Sequence, residues 1–81
     1  MQIKLERIGR IDLGIDGVDD YYLLTRTDDN LTKQQAIDWL LPPMYHEGGG
    51  PGSYYCHTVR AAKEQRAANR VICIVEHRYN I

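Results

Sequence analysis

Apolar residues fall at every second position near the start of the chain. Ile3 and Leu5 alternate with polar neighbours, and after Gly9 the alternation resumes at Ile11, Leu13 and Ile15. That is the spacing of a bent strand with one face turned to a core. Asp16-Gly17 follows, a two-residue hairpin signal in which glycine takes the positive φ of a type I′ turn. Pairing Ile15 with Val18 sets Leu13 opposite Asp20 and Ile11 opposite Tyr22, a register apolar on one face except for Asp20. Tyr21-Tyr22-Leu23-Leu24-Thr25 reads as the second strand, ending near Thr27, and Asp28-Asp29-Asn30 as a turn.

The period then changes. Thr32-Lys33-Gln34-Gln35 has the form of a capping box, in which Thr32 bonds backbone amides at the start of a helix and Gln35 reaches back. Leu31 and Ala36 are placed to form the accompanying hydrophobic staple. The helix is predicted to run to about Leu41 and to stop at Pro42-Pro43, because a residue before proline is pushed out of the α region. Ala36, Ile37, Leu40 and Leu41 form the stripe that packs on the sheet. Trp39 lies off that stripe, either as a flank residue against the sheet edge or as an exposed anchor for a partner.

Residues 42–53 read as a connection without regular structure, the kind of loop in which function concentrates in small domains. Ser53 to Arg60 reads as a strand and Lys63 to Asn69 as a connection. A helix from Ser53 to Ala68, ended by Asn69, competes, since Arg60 to Asn69 is rich in helix formers. The strand is preferred because Tyr54 to Val59 is aromatic and β-branched. Val71-Ile72-Cys73-Ile74-Val75, running on into Glu76-His77-Arg78-Tyr79, is the segment around which the rest is arranged. Its five consecutive apolar residues, four of them β-branched, suit a strand buried on both faces at the centre of a sheet. The expected fold is α+β: a single small antiparallel β-sheet with one helix packed on a face (β-β-α-β-β), in one domain spanning 1–81.

Composition refines this picture without redirecting it. With 43% hydrophobic and 26% charged residues among 81, the chain is globular rather than disordered. Phe is absent and Tyr supplies six of the seven aromatics, so tyrosine hydroxyls are expected at the core rim or on a binding surface. The net charge of -1 argues against a generic polyanion binder, yet it hides a division. Residues 1–50 carry nine acids and five bases, and 51–81 two acids and five bases. The N-terminus lacks the apolar run of a signal peptide and no stretch approaches a membrane span, so a cytoplasmic protein with reduced cysteines is expected, without a Cys56–Cys73 disulfide.

Several residue groups invite chemistry and are outweighed by simpler readings. Cys56, His57, Cys73 and His77 lack the paired close ligands of a zinc ribbon or finger, and a cysteine inside an apolar strand behaves as a small hydrophobe. Cys56 and His57 point to opposite faces of a strand, so the histidine is badly placed as base for that thiol. Gly48-Gly49-Gly50-Pro51-Gly52-Ser53 lacks the lysine of a P-loop, and Pro51 removes an amide donor. The acid pairs Asp19-Asp20 and Asp28-Asp29 read as solvated turns. Catalytic residues, metal sites and cofactors are therefore not assigned. Arg60, Lys63, Arg66 and Arg70 cluster beside a single acid and are the candidate contacts to nucleic acid, against a pI of about 6.3.

Leu31-Thr32 with a short helix ending in Trp39-Leu40, then Pro51-Gly52-Ser53-Tyr54-Tyr55-Cys56, then Ile74-Val75-Glu76-His77-Arg78-Tyr79-Asn80, resembles a group of small uncharacterised phage and prophage proteins over most of the chain. The resemblance implies a setting rather than a reaction: small phage accessory proteins often bind and block a host protein, including the defence machinery that anti-CRISPR proteins target. The expected function is non-enzymatic binding of a host protein, by a monomer or homodimer, with Trp39, Tyr45, His46, Tyr54 and Tyr55 as candidate contacts. A nucleic-acid-binding or regulatory module using residues 60–70 is the alternative, and an enzyme or metal protein comes third.

Overall fold

The computed structural model describes residues 1–44 and 54–80, and within them the side chains of all but 42–44, 54–57, 79 and 80. Strands β1 (Ile3–Asp12) and β2 (Gly17–Arg26) flank a 3-10 turn (Gly14–Asp16). Helix α1 (Lys33–Met44) and strands β3 (Tyr54–Ala61) and β4 (Arg70–Asn80) follow. The strands make one antiparallel sheet in the order β1-β2-β4-β3, so Val71 to Val75 lies on an inner strand, paired on both sides. This is an α+β arrangement, and it departs from the expected element order by the 3-10 turn.

That turn reflects a different hairpin register. Asp12 pairs with Val18, Ile11 with Asp19 and Arg10 with Asp20, and a bulge between Arg7 and Gly9 then resets the ladder so that Arg7 faces Tyr22. The expected pairing of Ile15 with Val18 is therefore replaced by a longer loop. The loop is closed by the Leu13 amide on the Gly17 carbonyl (2.9 Å) and by the Gly14 amide on the Asp12 carboxylate (2.8 Å). Gly17 has its positive φ of 139° as the first residue of β2 rather than in a two-residue turn. It crosses β4 so closely that a Cβ there would lie 1.9 Å from the His77 carbonyl oxygen. A side chain at this position would force β2 and β4 apart.

Cross-strand partners share a face, which sorts the sheet in two. Leu24, Val71, Cys73 and Val75 face α1 and form the core with Leu31, Ala36 and Leu40. The helix begins as its sequence dictates. The Thr32 amide donates to Gln35 Oε1 (3.0 Å) and the Gln35 amide to Thr32 Oγ1 (3.1 Å), closing the capping box. Its far end does not follow expectation, for the helix continues through Pro42 and Pro43 to Met44. Proline's φ is itself helical, so two prolines in a last turn delete hydrogen bonds without unwinding it. The apolar stripe is also rotated. Ala36 and Leu40 are buried, with Ile37 and Trp39 packed on either side, while Leu41 is 40% exposed.

Residues 54–61 form the strand preferred over a helix. The alanine-rich piece after it has no helical turn. Its polar groups are engaged by the chain between β2 and α1: the Arg26 amide donates to the Asn69 carbonyl (2.9 Å), the Leu31 amide to the Ala68 carbonyl (2.8 Å), and Gln65 Nε2 to the Leu31 carbonyl (2.6 Å). Tertiary hydrogen bonds thus override a high local helix propensity. No described helix is long and apolar enough to cross a membrane.

Candidate functional site

Asp20 is the one buried charged residue among those described, 3% exposed. Its register neighbours supply the partners. Arg10 on β1 donates from Nε to Oδ1 (2.7 Å) and from Nη2 to Oδ2 (3.2 Å), and His77 Nε2 lies 3.1 Å from Oδ2. Burial works to raise the Asp20 pKa, but the Arg10 bond and charge, with His77, outweigh it and hold the carboxyl below its ordinary range. Both oxygens are engaged, so the cluster ties β1, β2 and β4 together as a structural clamp. Burial first, then the Asp20 charge, raises the pKa of the adjacent Tyr22 hydroxyl. Asp19 turns to the opposite face and accepts from Arg78 Nη1 (2.6 Å). The pair Asp19-Asp20 is thus not a solvated turn but an integral part of β2.

Asp28 does sit on an exposed turn, where the Arg26 guanidinium (2.9 Å) and then the Gln2 amide (3.1 Å) pull its pKa down to about 2. A carboxyl with a depressed folded pKa contributes stability that is complete above its unfolded value near 3.9 and is lost as pH falls through the folded one. Stability is therefore expected to decline as pH falls from about 5 to about 2. Urea midpoints across that window should fall less steeply for Asp28→Asn than for the parent.

The face turned away from α1 is organised differently. Arg60 Nε donates to Glu76 Oε1 (2.5 Å), Arg78 Nη2 to Glu76 Oε2 (3.2 Å), and Arg78 Nη1 to Asp19, so a ladder of ion pairs crosses β3, β4 and β2 at one end. At the other end the surface is concave, with apolar and charged side chains lining it together. Ile8, brought in by the β1 bulge, Leu23 and Ile72 line a groove of about 380 Å³ with Arg66 and Arg70 at its margin. A second groove of about 590 Å³, between Lys63, Glu64 and Gln65, shares Arg66 and Ile72 with the first. Among the described residues, Arg66 and Arg70 are exposed and make no ion pair.

The four basic candidates therefore divide. Arg60 is bound to Glu76, whereas Lys63, Arg66 and Arg70 border the grooves. Nothing in the sequence marked Ile8 and Leu23 as their neighbours, because the link runs through strand pairing. Of the candidate partner contacts, Trp39 is half-buried on the flank of the core; Tyr45 and His46, and the side chains of Tyr54 and Tyr55, lie outside the described residues. So does the glycine-rich segment. Trp39→Ala is expected to lower stability by about 1–3 kcal/mol, as a shifted urea midpoint at constant slope.

Cys73 is buried and unbridged, its thiol pushed up to about 11 by burial, so it stays protonated at neutral pH and serves as core. The register excludes a bond to Cys56, whose backbone pairs with Arg78, five positions along β4 from Cys73. Cys73 and His77 do share a face, as their spacing requires, but no group of three metal-binding side chains occurs among the described residues. Set against protein-family models, curated proteins and solved structures, the chain matches none.

Proposed function

We propose that this protein is a non-enzymatic binding protein, of the phage or prophage accessory kind, that engages a host protein such as a defence or regulatory factor through the helix-free face of its sheet. The observation that carries the reading is the pair of adjoining grooves, where apolar Ile8, Leu23 and Ile72 lie beside the ion-pair-free Arg66 and Arg70. An exposed apolar patch rimmed by polar groups is typical of a docking surface, and the cationic rim favours an acidic patch on the partner. Arg60 and Arg78 are already paired at the other end of the face, whereas Arg66 and Arg70 at the groove margin are available to such a partner.

Nucleic acid is the second reading, favoured by the convergence of Lys63, Arg66 and Arg70 on the same grooves. One experiment separates the two. Tagged protein is passed through nuclease-treated host lysate, and the retained material is identified by mass spectrometry. A near-stoichiometric host protein supports the first reading. Retention that nuclease abolishes, and that falls steeply with salt, supports the second.

A further inference from the structure

β1 closes the sheet on one side, with β2 along one edge and, among the described residues, no strand along the other. The ladder fixes which backbone groups that open edge presents. The Thr27 amide donates to the Gln2 carbonyl (3.0 Å), so Gln2 points its backbone groups at β2, and antiparallel alternation turns Lys4 and Glu6 the same way. Ile3, Leu5 and Arg7 consequently present N–H and C=O outward. Arg26 agrees with this phase: it is the β2 partner of Ile3, and its amide is used on the far side, on the Asn69 carbonyl.

The side chains follow the same alternation. Leu5 pairs with Leu24 and shares its face, yet remains 38% exposed. Lys4 and Glu6 lie on the helix-free face, opposite Thr25 and Leu23, and neither makes an ion pair among the described residues. Charges on an edge strand discourage pairing with unrelated strands. Here they also select one pairing with themselves.

We propose that the β1 edge takes β1 of a second copy of this chain, antiparallel about a two-fold axis at Leu5, so that two sheets become continuous. Leu5 faces Leu5 of the partner subunit as a hydrogen-bonded pair, and Ile3 faces the partner's Arg7. Lys4 faces Glu6 of the partner subunit in the non-hydrogen-bonded position, where side chains approach most closely. The two-fold axis makes the Ile3–Arg7 and Lys4–Glu6 contacts twice and the Leu5 contact, which lies on the axis, once. Slipping by one residue mismatches faces and backbone phase alike. The neighbouring registers of correct phase set Lys4 against Lys4 of the partner subunit, or Glu6 against the partner's Glu6. Only the proposed one joins opposite charges, and the bulge after Arg7 limits it to residues 3–7. In the dimer the two grooved faces lie side by side on one surface, so the pairing leaves the docking surface open.

Sedimentation equilibrium on the intact chain tests this. The parent should dimerise with rising concentration, and Lys4→Glu and Glu6→Lys should each weaken dimerisation on the order of tenfold. Mixing the two variants should restore it, because the acid introduced at position 4 of one then faces the base introduced at position 6 of the other. Amide exchange on the parent provides a measurement that needs no variant. Protection at Leu5 and Arg7 should rise with concentration, while that at Lys4 and Glu6, already bonded to β2, should not. A parent that stays monomeric at millimolar concentration overturns the proposal and leaves the edge for a strand of another protein. A dimer indifferent to both substitutions, or unrestored by mixing, overturns it as well.

Discussion

Gly17→Ala is expected to cost about 4 kcal/mol or more, among the largest effects open to a single substitution here. Two penalties combine. A positive φ disfavours any side chain, and the added Cβ would lie 1.9 Å from the His77 carbonyl oxygen and 3.1 Å from the Arg78 Cα. Both obstructing atoms are backbone of β4, so relief requires β2 and β4 to separate at this point. That opening propagates to His77 and Asp20, and through Asp20 to Arg10 on β1. Gly14→Ala is the control. Its φ is 70° and nothing lies within 4 Å of its Cβ position, so it should lose only the left-handed penalty of about 1–2 kcal/mol. Urea unfolding of the two variants reads the difference. Equal losses would mean that a side chain at Gly17 does not force β2 and β4 apart.

The second large effect concerns binding. Arg66→Glu with Arg70→Glu is expected to reduce affinity for the retained partner on the order of hundredfold, since both charges at the groove margin change sign against an acidic surface. Neither residue makes an ion pair among the described residues, so the stability of the double variant should stay within about 0.5 kcal/mol of the parent. Arg60→Glu serves as comparison, because Arg60 belongs to the ladder with Glu76 and does not line either groove. It should disturb the ladder and leave binding largely intact. Unchanged affinity in the Arg66/Arg70 variant would remove the grooves as the docking surface. If the partner is nucleic acid, the same variant should instead lower the salt dependence by about two phosphate contacts.

Local rules decided a good part of this fold. The capping box of Thr32 and Gln35 needs only residues three apart, and it forms as written. The β-branched run Val71 to Val75 has no comfortable place except an inner strand, and that is its place. The break in alternation around Gly9 is the bulge between Arg7 and Gly9. In each case the cause lies within a few residues of its effect.

Distant chain decided the rest. Asp16-Gly17 satisfies a hairpin rule, but Gly17 stands at the start of β2, close against β4. Residues 62–69 have helical propensity, but hydrogen bonds to Arg26 and Leu31 draw their backbone away from it. Asp20 looks misplaced until Arg10 and His77 arrive from two other strands. The binding surface has the same origin. Its arginines are visible as a cluster in sequence, while the apolar floor comes from Ile8 and Leu23, brought beside Ile72 by the sheet. The sequence by itself determined which segments are strand and which is helix, where the helix begins, and what charge each segment carries, because those depend on near neighbours. Only the tertiary structure decided the register, the burial of Asp20 and the partners of each arginine, because strand pairing brings together residues that sequence spacing does not relate.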